Sequence, residues 1–327
     1  MQTKQCNIPL NEYFPNMSTL AYGCMGLGGG WDNNPVTREN INQAHQVVDT
    51  ALEVGINLFD HADIYTLGKA EKAFGNVLAE RPELREKMII QSKCGIRFAD
   101  NEGPKRYDFS AQWVSRSVDN ILERLQTEYL DIFMLHRPDP LMELDEIADT
   151  LSVLKSSGKV RHFGVSNMNQ HQISYLQSAL DTPIVVNQIE ISLAKLDWLE
   201  EGIMTGNADG RDINFTAGSL EYCRKKGIQL QSWGSLSQGL FSGRDVSHHP
   251  QHIQQTAELV RELAYKYNVA SEAIVLAWLM RHPAKIQPVI GSTHLDRIKA
   301  CAQAPLVTLS REDWYNLYAS SRGQEMP

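Results

Sequence analysis

The sequence predicts an α/β fold, a single (β/α)8 TIM barrel over 1–327 with its active site at the C-terminal end of the strands. Three observations predict it. Eight short apolar segments alternate, nearly throughout, with segments of helical periodicity. Most of the apolar segments end in polar residues, as barrel strands do where they deliver side chains to a common mouth. No low-complexity linker and no short repeat divides the chain. A doubly wound sheet shares the alternation but gives no reason for so many strands to end in polar groups.

The elements follow in order. Thr19 to Tyr22 read as the first strand, running into a loop of Gly23, Cys24, Met25, Gly26, Leu27, Gly28, Gly29, Gly30 and Trp31. The loop resembles a dinucleotide-binding turn, but the third glycine position is Trp31, so it reads as a rim loop with Trp31 available to line a pocket. Ile41, Ala44, Val48 and Ala51 recur at helical spacing before Gly55 and a second strand, Ile56 to Phe59. Asp60, His61, Asp63 and Tyr65 lie at or beyond its end. Gly68 to Glu80 read as helix, and Met88 to Ser92 as a strand finishing at Lys93. Ser110 caps a helix whose Val114, Val118, Ile121, Leu122 and Leu125 form one apolar stripe. Leu130 to Leu135 make strand four, ending at His136, and Asp145 to Ser157 a helix closed by Gly158. Strand five, Val160 to Val165, ends in Ser166 and Asn167; strand six, Ile184 to Val186, in Asn187 and Gln188. Ile228 to Ser232 end at Trp233, and Ile286 to Ile290 at Gly291, Ser292 and Thr293. Helices are read over Thr256 to Tyr267, over Glu272 to Arg281 with Ser271 as cap, and over Arg311 to Ser320.

Composition narrows the function class. At 327 residues, 42% hydrophobic and 21% charged, the chain has ample core material, and its net charge of −8 disfavours a general nucleic-acid or acidic-surface binder. The cysteines Cys6, Cys24, Cys94, Cys223 and Cys301 are scattered with no Cys-x-x-Cys pair, which fits reduced thiols and a cytoplasmic location. Residues 1–7 lack the apolar core of a signal peptide, and the longest apolar stretch, Ala273 to Met280, is too short for a bilayer.

Three strand ends combine into one chemistry. Asp60, Tyr65, Lys93 and His136 follow successive strands two to four, which are neighbours in a barrel. Alone, Lys93 reads as a rim lysine and His136 as a packed histidine; together they make a proton-transfer site. A free phenol, with a pKa of about 10, is a weak donor at neutral pH. A neighbouring ammonium lowers that value and makes Tyr65 a better general acid. Asp60 would keep Lys93 charged, and His136 would orient a carbonyl oxygen by hydrogen bonding.

With these residues on the page, the sequence resembles the aldo-keto reductases over nearly its whole length. Asn57 to Tyr65 resembles the family segment Asn-x-x-Asp-x-Ala-x-x-Tyr, and Gly158 to Asn167 its Gly-Lys-Ile-Arg…Gly-Val-Ser-Asn segment. The resemblance implies reduction of an aldehyde or ketone to an alcohol with NADPH, Asp60, Tyr65, Lys93 and His136 forming the catalytic tetrad. It also implies that Ser166, Asn167 and Gln188 bind the nicotinamide carboxamide while Trp233 stacks on the ring. Ser235, Leu236, Gly239, Leu240 and Arg244 resemble the loop over the pyrophosphate. Gly291, Ser292, Thr293 and Arg297 resemble the adenosine 2′-phosphate site, where a glycine turn entering a helix is a ready anion site. The family's Ser-Pro-Leu after the stacking aromatic is Gly234, Ser235 and Leu236 here, and its acidic and amide positions after the Arg-Ile pair are Ala300 and Cys301. With no ribose-binding acid apparent, NADPH/NADP+ is expected over NADH.

The expected partner is a small carbonyl substrate bordered by Trp31, Tyr65 and His136, with the segments Arg97 to Arg106 and Leu193 to Arg211 at the mouth. No nucleic acid, membrane or metal partner is expected, and oligomeric state is not legible. Two other readings remain at this point. One is a barrel hydrolase with His61, Asp63 and His136 as metal ligands. The other is a cofactor-binding regulatory barrel without turnover.

Overall fold

The computed structural model describes residues 7–327; the reading of the chain's start rests on Met1 to Cys6 and lies outside the described residues. Eight parallel strands close into a barrel: β1 (Ala21–Gly23), β2 (Leu58–Asp60), β3 (Ile89–Cys94), β6 (Leu130–Leu135), β7 (Val160–Ser166), β8 (Ile184–Glu190), β9 (Gln229–Trp233) and β10 (Gln287–Ile290). Their spatial order is β1-β10-β9-β8-β7-β6-β3-β2, so each barrel strand sits beside the next one in the chain. Two further strands, β4 (Ile96–Arg97) and β5 (Arg106–Tyr107), form an antiparallel hairpin in the segment expected at the mouth. Arg97 there bonds Asp100, Glu102 and Asp108, a charge cluster without apolar periodicity to signal it.

The helices are α1 (Arg38–Glu53), α2 (Lys69–Glu80), α3 (Ala111–Leu125), α4 (Leu144–Ser156), α5 (Gln170–Gln177), α6 (Asp197–Ile203), α7 (Ser219–Lys226), α8 (Gln251–Tyr267), α9 (Ser271–Met280), α10 (Leu295–Cys301) and α11 (Arg311–Arg322). Their formation follows the local chemistry. The Thr37 hydroxyl accepts the Asn40 amide at 3.3 Å to start α1, and Ser110 accepts the Trp113 amide at 3.4 Å to start α3. The predicted stripe of α3 buries Val114, Val118, Ile121 and Leu125. Gly158, at φ +76°, turns the chain out of α4. One cap differs: Ser271 is the first residue of α9, preceded by Ala270, and its side chain caps nothing. The short helices α5, α6 and α7 were not separated by the sequence from their loops, and α6 occupies the segment expected to line the mouth. At the α2–α3 contact, a Cβ on Gly75 would collide with the Arg124 carbonyl, so the two helices meet backbone to backbone.

Most strand limits shift by one or two residues, while β8 runs four residues past Val186 to Glu190 and takes in Asn187 and Gln188. Thr19 lies outside β1, β2 includes Asp60, β3 continues through Lys93 to Cys94, and β9 includes Trp233. The barrel interior is layered. Its N-terminal end is plugged by Ile8, Leu10 and Met17 packed on Leu58, Ile132, Met134 and Val186. Above that plug Asp60 pairs in register with Gln91, while Gln188, Gln231 and Gln287 fall in register across β8, β9 and β10. The floor is therefore apolar and the layer beneath the mouth is polar. Among the described residues no helix is long and apolar enough to cross a membrane.

Candidate active site

Lys93 is the centre of the site. Its side chain is wholly buried, and Nζ lies 2.7 Å from the Asp60 carboxylate, 2.8 Å from the His61 carbonyl and 3.0 Å from the Tyr65 hydroxyl. Burial alone would lower its pKa, but the Asp60 charge and the Tyr65 oxygen outweigh burial and hold it above the ordinary lysine value. The tetrad is completed by His136, whose ring meets the Tyr65 ring edge-on at 6.2 Å between centroids. Burial, the Lys93 charge and the Arg137 charge hold the His136 imidazole well below its usual pKa, so it is neutral near pH 7. Its Nδ1 is buried without a partner. All four predicted groups converge.

One expectation is corrected. The sequence reading has Lys93 lowering the Tyr65 pKa below that of a free phenol. In the structure burial dominates and raises it, with the Lys93 charge offsetting part of that rise. The phenol is a fully protonated group whose anion is made less costly by Lys93 than burial alone would make it.

A row of amides missed by the sequence reading anchors Asp60 from below. Gln91 Nε2 donates to Asp60 at 2.5 Å and to Gln231 at 2.9 Å; Gln231 returns a bond to Gln91 at 3.1 Å and donates to Gln287 at 2.9 Å. Gln287 ends the row on the Ser18 carbonyl at 2.7 Å. A signal existed: each is an amide inside a buried strand, a costly place unless hydrogen-bonded.

Tyr65 leads into a left-handed turn. Thr66, Leu67 and Gly68 have φ of 46°, 61° and 82°. For a β-branched threonine this conformation is strained. The buried Thr66 hydroxyl lies 3.0 Å from the Leu27 carbonyl, tying the turn to the rim loop after β1.

The remaining predicted residues form two groups. Asn167 Nδ2 donates to Ser166 Oγ at 2.8 Å and to the His136 carbonyl at 3.3 Å, and its Oδ1 accepts from Trp233 Nε1 at 3.0 Å. Ser166 donates to the Gln188 carbonyl at 2.9 Å, and Gln188 directs its Nε2 to Asp60 and Gln231 at 3.2 and 3.1 Å. In the second group Arg297 joins Glu272 at 3.1 Å and donates to the Ser242 carbonyl at 3.1 Å, bridging α10 to the turn that carries Gly239, Leu240 and Arg244. Gly239, at φ +81°, leaves room for that guanidinium, 3.1 Å from where a Cβ would sit. Ser292 Oγ accepts the His294 amide at 3.2 Å, Thr293 packs near Gly26, and Gly291 and Arg244 are exposed. Leu236 and Leu240 pack on the core. Ser235 is buried, with its hydroxyl 2.7 Å from the Ser232 carbonyl. Glu272 is an acid that the sequence reading did not find, because it comes from α9 and not from the residues after Arg297. Trp31 stays exposed on its loop and makes no aromatic contact with Tyr65 or His136.

The metal reading fails on placement. His61 is buried edge-on to Phe74 at 4.6 Å, with its pKa pushed down to about 3 by burial and the Lys93 charge. Burial and the Glu71 carboxylate push Asp63 well above the carboxylate range. Among the described residues no three His, Cys, Asp or Glu side chains cluster as a ligand set.

Comparison with known proteins identifies the family. Residues 19–321 match the model of the aldo/keto reductase family. The 6-dehydroglucose reductase of Agrobacterium fabrum is 34% identical over 95% of this chain and 96% of its own length. The oxidoreductase YdhF of Escherichia coli is 33% identical over 86% of this chain and 88% of its own. Among solved structures, the glycerol dehydrogenase AKR11B4 of Gluconobacter oxydans superposes with a TM-score of 0.76 at 22% identity, covering 95% of this chain and 94% of that one. An aldo-keto reductase of Klebsiella pneumoniae in complex with NADPH gives 0.69 at 22% identity, covering 92% and 90%. These two share the fold. The chain belongs to the aldo/keto reductase family.

Proposed function

We propose that the protein reduces aldehyde or ketone carbonyls to alcohols with NADPH, and that Tyr65 is the general acid. The observation that carries this reading is the buried Lys93 ammonium, 3.0 Å from the Tyr65 hydroxyl and 2.7 Å from Asp60. A bound cofactor supplies the hydride that reaches the carbonyl carbon. Tyr65 gives its proton to the carbonyl oxygen, and Lys93 stabilises the phenolate left behind. Neutral His136 orients that oxygen. Asp60 keeps Lys93 charged, which offsets part of the cost of burying it.

The residues suit a dinucleotide. Trp233 is pinned by Asn167, so its indole is a fixed surface for a flat ring, and Gln188 retains a carbonyl oxygen for a carboxamide. Ser166 and Asn167 complete that end; Ser235, Leu236, Gly239, Leu240 and Arg244 would cover the pyrophosphate. Gly291, Ser292, Thr293 and Arg297 would take the 2′-phosphate; the Klebsiella structure of the same fold was solved in complex with NADPH. The substrate is a small carbonyl compound at Tyr65 and His136, with Trp31 at the rim; one relative is named for reducing an oxidised sugar.

The test is NADPH oxidation over a panel of carbonyls. Tyr65→Phe should lower kcat by about 10²–10⁴ while NADPH still quenches tryptophan emission. Full activity in that variant would overturn the proton-donor role.

A further inference from the structure

Arg137 follows the proposed orienting histidine and has no assigned task. It leaves the barrel where the main chain is pinned: the His136 amide bonds the Cys94 carbonyl at 2.9 Å, and the His136 carbonyl accepts from Asn167. From there the guanidinium reaches across the mouth, with Cζ 5.8 Å from the Trp233 ring centroid. It is only partly exposed, yet among the described residues it makes no ion pair and no side-chain hydrogen bond. The acids that follow the barrel strands at this end are committed elsewhere. Asp139 accepts the Phe109 and Leu141 amides at 2.8 and 2.9 Å. Asp100, Glu102 and Asp108 hold Arg97, and Glu190 faces Lys195 at 3.2 Å.

The guanidinium is open to solvent and holds no counter-charge, so it is free to take one, and its planar fork matches an oxyanion. The proposed phosphate-binding groups, Arg244 and Arg297, belong to the segments after β9 and β10. Arg137 instead belongs to the reacting end, beside His136 and Trp233. We infer that Arg137 is a specificity residue for substrates that carry a carboxylate or another oxyanion on the carbonyl compound, held beside Trp233 while the carbonyl meets Tyr65 and His136. This rests on the reductase reading given above.

The test compares matched substrates in wild type, Arg137→Gln and Arg137→Lys with saturating NADPH: succinic semialdehyde against butanal, and 4-carboxybenzaldehyde against benzaldehyde, with glyceraldehyde as the neutral polyol. The expected result is a fall of about tenfold or more in the acid-to-neutral ratio of kcat/KM in Arg137→Gln, carried by KM and partly restored in Arg137→Lys. An unchanged ratio overturns the inference. If the two members of each pair fall together with NADPH affinity, the guanidinium serves the cofactor; if glyceraldehyde falls as far as the acids, it serves hydroxyls. A second measurement does not need turnover. Tryptophan emission should saturate with benzoate but not with benzyl alcohol, and Arg137→Gln should abolish the benzoate response. Benzoate binding through Arg137 in a protein that reduces no carbonyl would sink the reductase reading alone. Turnover with no Arg137-dependent benzoate response would sink the anion site alone.

Discussion

Lys93 holds a full charge inside a barrel because three oxygens surround Nζ, those of Asp60, His61 and Tyr65. Lys93→Met removes the charge but leaves Asp60 buried. The variant should lose carbonyl reduction, and urea unfolding should show it less stable by about 3–5 kcal/mol, the cost of an orphaned buried partner. The sign of the pH dependence follows from Tyr65. The acid form is required, so activity is present below the folded pKa and lost as pH rises through it. Because burial raises that pKa, kcat for reduction should not fall anywhere a free phenol would still keep its proton. His136 adds no limb near neutrality, since burial and its cationic neighbours keep it unprotonated there. A kcat profile falling between pH 7 and 9 would contradict both assignments. At this scale the tetrad was legible, because each member closes or follows a strand. Arg137 and Glu272 were not, since their meaning depends on which charges lie across space from them.

Helices and strands were read from periodicity, and their errors have local causes. Ser271 was read as a cap because serine often is one, but the helix begins on it. The β4–β5 hairpin escaped notice because it is held by Arg97 and its acids, not by an apolar pattern. Gly75 shows what periodicity cannot report: a helix position fixed by the backbone of another helix. Gly75→Ala would gain helix propensity in isolation, yet here its methyl meets the Arg124 carbonyl. Thermal or urea unfolding should therefore show a loss of about 1–3 kcal/mol, the range for overpacking. A stabilised variant would mean that α2 and α3 separate without cost.

For the molecule as a whole, eight strands, their order and their shared mouth were legible, because alternation in a chain with right-handed crossovers leaves few arrangements. The polar interior was not, since which buried glutamines meet depends on the register between strands distant in sequence. Acid stability is also a whole-molecule property. Burial pushes His61 to about 3 and His282 to about 4, so their stabilisation is complete above about pH 6.5, where the unfolded chain starts to bind protons. It declines as pH falls through 6.5, at about 1.4 kcal/mol per unit for each histidine. Asp63 and Glu71, with raised values, act in the opposite sense. His61→Leu should therefore show a shallower fall in urea midpoint between pH 7.5 and 5 than the wild type; parallel slopes would exclude His61 as a source. The amide row has a directional consequence. An ionised Asp60 can only accept, so Gln91 must present its nitrogen, and that choice orients Gln231 and Gln287 in turn as far as Ser18. The Ser18 carbonyl at the far end likewise only accepts, so the row is fixed from both ends, and reversing any one amide would set oxygen against oxygen.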